Sequence, residues 1–507
     1  MKKRSSIIIA FLVIIFAASF MLSGCDNGDY DFSRPQVSSD VSSQSLGRII
    51  DPGSEIRGVW IASTYNIDYP SNPDLSYDQL KSEIDAILST CSANKLNTIF
   101  FQVRPACDAL YRSSIFPVSR ALSSTGELVF DPLEYLIEEG HRNNIFIYAW
   151  INPLRVSLGA AEISSLPDTS PAKLHPDWVV NYNGRLYFNA GIPEVRKLVS
   201  DGVAEVVKNY DVDGVVFDDY FYPYPAYDAA GSLIEFDDSK EYSEYGQAFE
   251  DISDWRRDNI NRMVELCYDA VHNADRECVF GISPFGVWQN DNGKNDGSKT
   301  RNFEAYHSLY CDSLAWIEGG YIDFICPQIY WQMASATSPY GVIIDWWNRK
   351  LDGSDVYLLT ANAAYRYEED AWEDPHGELS GQIEYSRSRK YYRGSVYYGY
   401  SVIKRNVLGA SDEIMTVNEH EIVYSEIVSN GLDIKILFPA EGYETTEETI
   451  VIKGVSDPFY PLTINGTKVG RTKTGEFEAE VSLTTGLNNF VLKENGKEYN
   501  LNIIRKP

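Results

Sequence analysis

Basic side chains are scarce in this sequence: 44 Lys and Arg stand against 73 Asp and Glu, a net charge of −29 at pH 7. Such a field repels phosphate backbones and anionic headgroups, which argues against nucleic acid as a partner. Cysteine is also sparse, and the spacings of Cys91, Cys107, Cys267, Cys278, Cys311 and Cys326 match neither a zinc motif nor a CxxC redox motif. A disulfide framework is not expected in a chain this large; a single disulfide stays open, and the commonest role is that of small buried hydrophobes. No Gly-rich phosphate loop follows the first strand, so nucleotide-binding open sheets lose ground. The segment Asp291 to Gly297 lacks the ligand spacing and terminal Glu of a calcium loop and reads as a solvated turn. No cofactor and no metal are called for.

Present in quantity are aromatic rings, 35 Tyr and 10 Trp among them. Rings in this number suit a glycan, which is bound by stacking and directional hydrogen bonds rather than by bulk field, although core packing is the commoner use of most of them. The N-terminus carries Lys2, Lys3 and Arg4, an uncharged apolar run from Ile7 to Phe20, and then Leu22-Ser23-Gly24-Cys25. This order is that of a bacterial lipoprotein signal over 1–24, with Cys25 as the lipid acceptor. The apolar run is short for a span of about 20 residues, so the expectation is export and anchoring on the outer face of the cytoplasmic membrane through the lipid. A polar stretch over 25–50, rich in Ser, Asp and Gln, cannot bury enough surface to fold and reads as a tether.

From 51 to about 425, short β-branched or aromatic runs alternate with longer amphipathic segments, the pattern of parallel strands with crossover helices. The strand candidates are Arg57 to Ala62, Thr98 to Val103, Phe146 to Ile151, Gly214 to Phe217, Val279 to Ser283, Asp323 to Pro327, Val356 to Thr360 and Ser395 to Tyr398. Eight such units predict an α/β fold of the (β/α)8 TIM-barrel type. The helices between them are equally legible: Leu80, Ile84, Ile87 and Leu88 fall at helical spacing in 77–93, and Pro132 and Pro193 occupy first-turn positions. Over 431–507 the texture changes to alternation punctuated by Asn465-Gly466, Thr474-Gly475, Thr485-Gly486 and Asn495-Gly496, which predicts a small all-β sandwich. It is similar to the immunoglobulin-like modules appended to secreted carbohydrate enzymes, with glycan contact or mere spacing as its two readings.

Active sites of such barrels lie at the C-terminal ends of the strands, so the residues there are the candidates. The first strand offers Trp60; the second runs into Gln102, Arg104 and Asp108; the third gives Trp150, Asn152 and Arg155. The fourth delivers Asp218-Asp219-Tyr220, the fifth Phe285, the sixth Gln328, Tyr330 and Trp331, the seventh Tyr365, and the eighth Tyr400. Glycosidic cleavage needs one carboxyl group to protonate the leaving oxygen and a second negative or nucleophilic group at the oxocarbenium-like centre. Asp218 and Asp219 meet both needs, since their mutual repulsion and burial would leave one protonated and one ionised. The alternative for one of them is to cap the following loop or pair with Arg104 or Arg155. Asp108, Asp296 and Glu368 stay open as a distant partner acid.

The motifs Arg57-Gly58-Val59-Trp60-Ile61, Phe101-Gln102-Val103-Arg104-Pro105, His175-Pro176-Asp177-Trp178 and Asp213 through Tyr220 followed by Tyr222-Pro223 together resemble the glycosyl-hydrolase-like family ten. The resemblance spans about Glu55 to Ser401, with Cys107 standing where many relatives place Gly. It implies an exported hydrolase of a glycan, bacterial cell-wall strands being the leading substrate class. By analogy with hexosaminidases that carry adjacent acids, Asp218 would polarise a 2-acetamido group and Asp219 would act as general acid. A catalytically silent glycan-binding lipoprotein and a hydrolase of neutral polysaccharide are the rival readings.

Overall fold

The structure, a computed structural model, describes residues 55–159, 161–368, 372, 375–420, 434–456, 461–471, 476–494 and 497–507. The signal segment, the tether, Cys25 and the turns at Thr474-Gly475 and Asn495-Gly496 lie outside the described residues. Eight parallel strands close into a barrel. They are β1 (Ile56–Ile61), β2 (Thr98–Arg104), β3 (Phe146–Ile151), β4 (Gly214–Phe217), β5 (Val279–Ile282), β6 (Phe324–Ile325), β7 (Tyr357–Ala363) and β8 (Tyr392–Tyr398). Each pairs with its sequence neighbours, and β1 pairs with β8 to complete the ring. Helices follow in turn: α1 (Tyr77–Ala93), α2 (Pro132–Arg142), α3 (Pro193–Asn209), α4 (Ile252–Ala274), α5 (Ser313–Gly319), α6 (Tyr340–Lys350), α7 (Glu378–Arg387), α8 (Tyr400–Arg405) and α9 (Ala410–Glu419). This is the TIM-barrel architecture that the alternation predicts.

Local chemistry explains where these helices begin. Ser76 and Gln79 form a reciprocal capping box at the start of α1, and the Asp131 side chain accepts from the Glu134 N–H at α2, whose first residue is Pro132. The amphipathic faces then pack on the outside of the strands; Leu80, Ile84, Ile87, Leu88 and Cys91 of α1 are all buried.

Alternation along each strand divides the side chains into two cores. Odd positions such as Val59, Phe101, Ile147 and Phe217 join the layer between strands and helices. Even positions, Ile56, Trp60, Phe100, Tyr148, Trp150, Val216, Phe324 and Val396 among them, fill the barrel interior. Gly281 on β5 is what admits the Phe324 ring there, since a Cβ at 281 would lie 2.4 Å from it. At the opposite end from the mouth, Asp213 and Asp323 precede β4 and β6 and tie neighbouring strands together. Asp213 Oδ2 accepts from the Ile147 N–H at 2.7 Å and faces His141 Nε2 at 2.9 Å, while Asp323 Oδ2 accepts from the Phe280 N–H at 2.6 Å and faces His272 Nε2 at 3.2 Å.

The C-terminal region is all β. A three-stranded and a five-stranded sheet sandwich one apolar cluster that includes Ile452, Phe477, Leu492, Leu501 and Ile503. At Asn465-Gly466 both residues have positive φ, 51° and 81°, the conformation that a two-residue hairpin turn demands. All six cysteines of the described residues are free and buried. Cys107 sits with its Sγ 3.6 Å from Ser170 Oγ.

Candidate active site

The strand β4 is buried along its whole length, and the chain leaves it as Asp218-Asp219, each only 3% exposed. Alternation from Val216 turns Asp218 towards the barrel axis. There Trp150 Nε1 donates to its Oδ2 at 2.9 Å, Asn152 Nδ2 donates to both oxygens at 3.2 Å, and the Tyr220 N–H donates to Oδ1 at 3.3 Å. Burial pushes this carboxyl up to about 6; the Arg155 charge and the Trp150 bond oppose the rise and the neighbouring Asp219 charge adds to it.

Asp219 has a separate set of partners. Tyr224 Oη donates to its Oδ2, and Gln328 Nε2 donates to its Oδ1 at 3.1 Å. The same Gln328 nitrogen donates to the Ser283 carbonyl at 3.1 Å, which fixes the amide with its nitrogen towards the acid. Burial raises the pKa of Asp219 as well, against the lowering effect of Tyr224 and Gln328. The two acids thus lie side by side but do not share one set of donors. Each acid accepts from three groups, and the Arg155 charge, which favours the anion at both, counts for more at Asp218.

Half-buried rings surround the acids. Arg155 lies 4.1 Å above the Tyr220 ring. Tyr224 stacks on Phe303, Phe303 meets Phe285 edge-on, and Phe285 meets Trp331. On the far side Tyr330, Tyr365 and Tyr398, from the ends of β6, β7 and β8, contact one another, with Tyr330 and Tyr398 near parallel at 20°.

Five sequence candidates do not face this cleft. Trp60 belongs to the packed interior below it, 3% exposed and edge-on to Trp150 at 5.0 Å. Gln102 uses its Oε1 to accept from the backbone N–H of Ser63 and of Thr64, at 3.0 and 2.9 Å, and so bolts down the loop after β1. Arg104 is turned outside the barrel because the register shifts between Gln102 and Arg104, so that Arg104 pairs with the outward Ile151. Its guanidinium lies 3.7 Å from the Phe116 ring centroid, against α3. Asp108 turns into its own loop, towards Ser119 and the backbone of Arg120. Tyr400 is 2% exposed and places its hydroxyl 3.4 Å from Thr90 Oγ1 of α1. Of the distant acids, Asp296 pairs with Lys350 and Glu368 with Arg405, both on the surface.

Three residues enter that the sequence patterns missed. Tyr398, not Tyr400, is the aromatic side chain of β8 at the mouth; strand parity from Val396 carries that signal. Tyr224 and Phe303 lie on loops, where no period marks them. Among the described residues no group of three or more His, Cys, Asp or Glu is placed to hold a metal ion.

Comparison with known proteins places the chain among relatives. The sequence matches the family model described as Glycosyl hydrolase-like 10 over residues 55–376. It is 39% identical over 369 residues to Glycosyl hydrolase YngK of Bacillus subtilis (strain 168), covering 71% of each chain. It is 33% identical over 371 residues to Glycosyl hydrolase DigH of Escherichia coli (strain K12), covering 69% of this chain and 80% of that one. Among solved structures, the glycoside hydrolase domain of PgaB (BpsB) from Bordetella bronchiseptica aligns over 71% of this chain and 98% of its own, with 15% identity and a TM-score of 0.47. The chain belongs to the Glycosyl hydrolase-like 10 family.

Proposed function

We propose that this chain is an exported, lipid-anchored glycoside hydrolase that cleaves amino-sugar glycan strands of the bacterial cell envelope. The observation that carries the catalytic part is the pair of buried carboxyls at the end of β4, held by two independent donor sets within an aromatic mouth. Pure binding has no need of two adjacent buried acids, whose ionisation is costly. The lipoprotein part rests on the N-terminal sequence ending in Cys25.

In this reading Asp219 is the general acid and Asp218 the orienting carboxylate. Asp219 gives its proton to the glycosidic oxygen as the C1–O bond breaks. The carbonyl oxygen of the sugar's own 2-acetamido group attacks C1, and Asp218 accepts the acetamido N–H. Water then adds to C1 as the bond from C1 to the acetamido oxygen breaks and the amide is restored, and the water surrenders a proton to Asp219. With Asp218 occupied in orienting the acetamido group, the nucleophile comes from the substrate, and the reading predicts retained anomeric configuration.

The test is incubation of the purified protein with peptidoglycan, intact and stripped of stem peptides, and with a neutral polysaccharide, followed by mass spectrometry of the soluble fragments. Release from the amino-sugar strands that vanishes in Asp218→Asn and Asp219→Asn is the expected result. Release that survives both substitutions removes the site assignment, and retained binding without release by the wild type favours a docking protein.

A further inference from the structure

We propose that Tyr224 is a positioning residue for Asp219, its hydroxyl serving as the partner that holds this carboxyl in both of its protonation states. The inference rests on the reading of Asp219 as acid and base. Asp219 has three described partners: Tyr224 Oη on Oδ2, Gln328 Nε2 on Oδ1, and its own backbone N–H. Two of them can only donate. Gln328 is committed as a donor because its nitrogen also serves the Ser283 carbonyl, which can only accept. A carboxyl ringed by fixed donors is held as an anion and makes a poor acid. The phenol differs, since it donates to the carboxylate and accepts from the carboxylic acid by rotation of one O–H bond.

The ring is placed for that duty and held there. It stacks on Phe303 at 5.2 Å and 19°, leans on Tyr220 at 5.5 Å, and Phe303 is itself braced edge-on by Phe285. Burial and the Asp219 charge push the Tyr224 phenol far above its ordinary range, so it keeps its proton throughout the cycle. When Asp219 has passed its proton to the glycosidic oxygen, the hydroxyl turns to donate to the new carboxylate. When the incoming water returns a proton, the hydroxyl turns back. No net proton is gained or lost by Tyr224.

Tyr224→Phe in the full chain tests this, because it deletes one oxygen and leaves the stacked ring. On glycan strands the variant is expected to lose roughly tenfold or more in turnover with little change in KM. The basic limb of its pH–rate profile moves to higher pH, since of the two bonds lost the one to the charged carboxylate is the stronger and lowers the pKa of Asp219. An activity-independent readout is 13Cγ NMR of aspartate-labelled protein, with the Asp219 resonance identified by its loss in Asp219→Asn. Its midpoint is expected to rise in Tyr224→Phe. An unchanged midpoint overturns the proposal, as does an unchanged basic limb in an active enzyme. A raised midpoint in a protein that cleaves no glycan leaves Tyr224 in control of Asp219 and refutes the hydrolytic reading instead.

Discussion

At the scale of single residues, Asp218 shows what a buried carboxyl costs the fold. Asp218 has a folded-state pKa of about 6 against an ordinary 3.8, so the folded chain holds this proton more tightly than the unfolded one. The stability it contributes is complete below about pH 4 and is lost as pH climbs to 6; above that the ionised group costs a constant ~3 kcal/mol. Asparagine carries no charge there, and its oxygen still accepts from Trp150. Its amide nitrogen replaces the oxygen that accepts from the Tyr220 N–H, and leaving that donor unpaired costs about 1–2 kcal/mol, less than the charge does. Asp218→Asn is therefore expected to unfold at a higher temperature than the wild type at pH 7.5, with the gain shrinking away by pH 4.5. Parallel melting curves across that range would show that Asp218 titrates like a solvated carboxyl.

At the scale of elements, the sites of greatest consequence are those where a strand or helix meets its neighbour closely. Gly202 on α3 faces Arg104, and a Cβ there would lie 2.5 Å from Arg104 Nη1 and 2.7 Å from the Phe116 ring. Alanine gains about 1 kcal/mol of helix propensity, but overpacking a buried guanidinium with no room to swing costs about 1–3 kcal/mol. Gly202→Ala should thus lower the denaturant midpoint; a rise would mean that Arg104 moves freely. The start of β1 is anchored more strongly. Arg387 of α7 donates from Nε and Nη2 to the two oxygens of Glu55 at 2.9 and 2.6 Å, and Nη2 also donates to the Val417 carbonyl of α9 at 3.0 Å. Arg387→Met leaves a buried carboxylate uncompensated and is expected to cost about 3–5 kcal/mol. Glu55→Gln in the same chain should restore part of that loss, and simple additivity in the double-mutant cycle would deny the coupling.

These elements were largely legible beforehand, because β-branched runs, 3.6-residue spacing and first-turn prolines are local signals. The helix from Tyr77 to Ala93 and the strand from Phe146 to Ile151 have the bounds that their patterns predict. What the patterns do not carry is side-chain direction where regularity ends. Simple alternation from Phe100 points Gln102 and Arg104 the same way, and one bulged residue reverses Arg104. Strand β8 stops at Tyr398, so Tyr400 belongs to a helix that packs on α1. Tyr224 and Phe303 reach the cleft only through the path of loops, which no period in the sequence encodes.

At the scale of the whole molecule, the chemistry of sulfur connects the barrel to the proposed anchor. The six cysteines of the described residues are free and enclosed, and burial pushes their thiols up, Cys107 to about 11 and Cys91 to about 12. A thiolate is the reactive form, so in the native protein neither access nor ionisation favours attack by a disulfide reagent at pH 8. Cys25 completes the chain's seven cysteines. A thioether to lipid would silence it permanently, whereas denaturant exposes the other six. Protein extracted from membranes is therefore expected to show no fast-reacting thiol when native and six when unfolded in denaturant. Protein made without its export signal but retaining Cys25 should show seven. Seven reactive thiols in the membrane-extracted protein would refute lipidation at Cys25, and any fast native thiol among the six would contradict their burial.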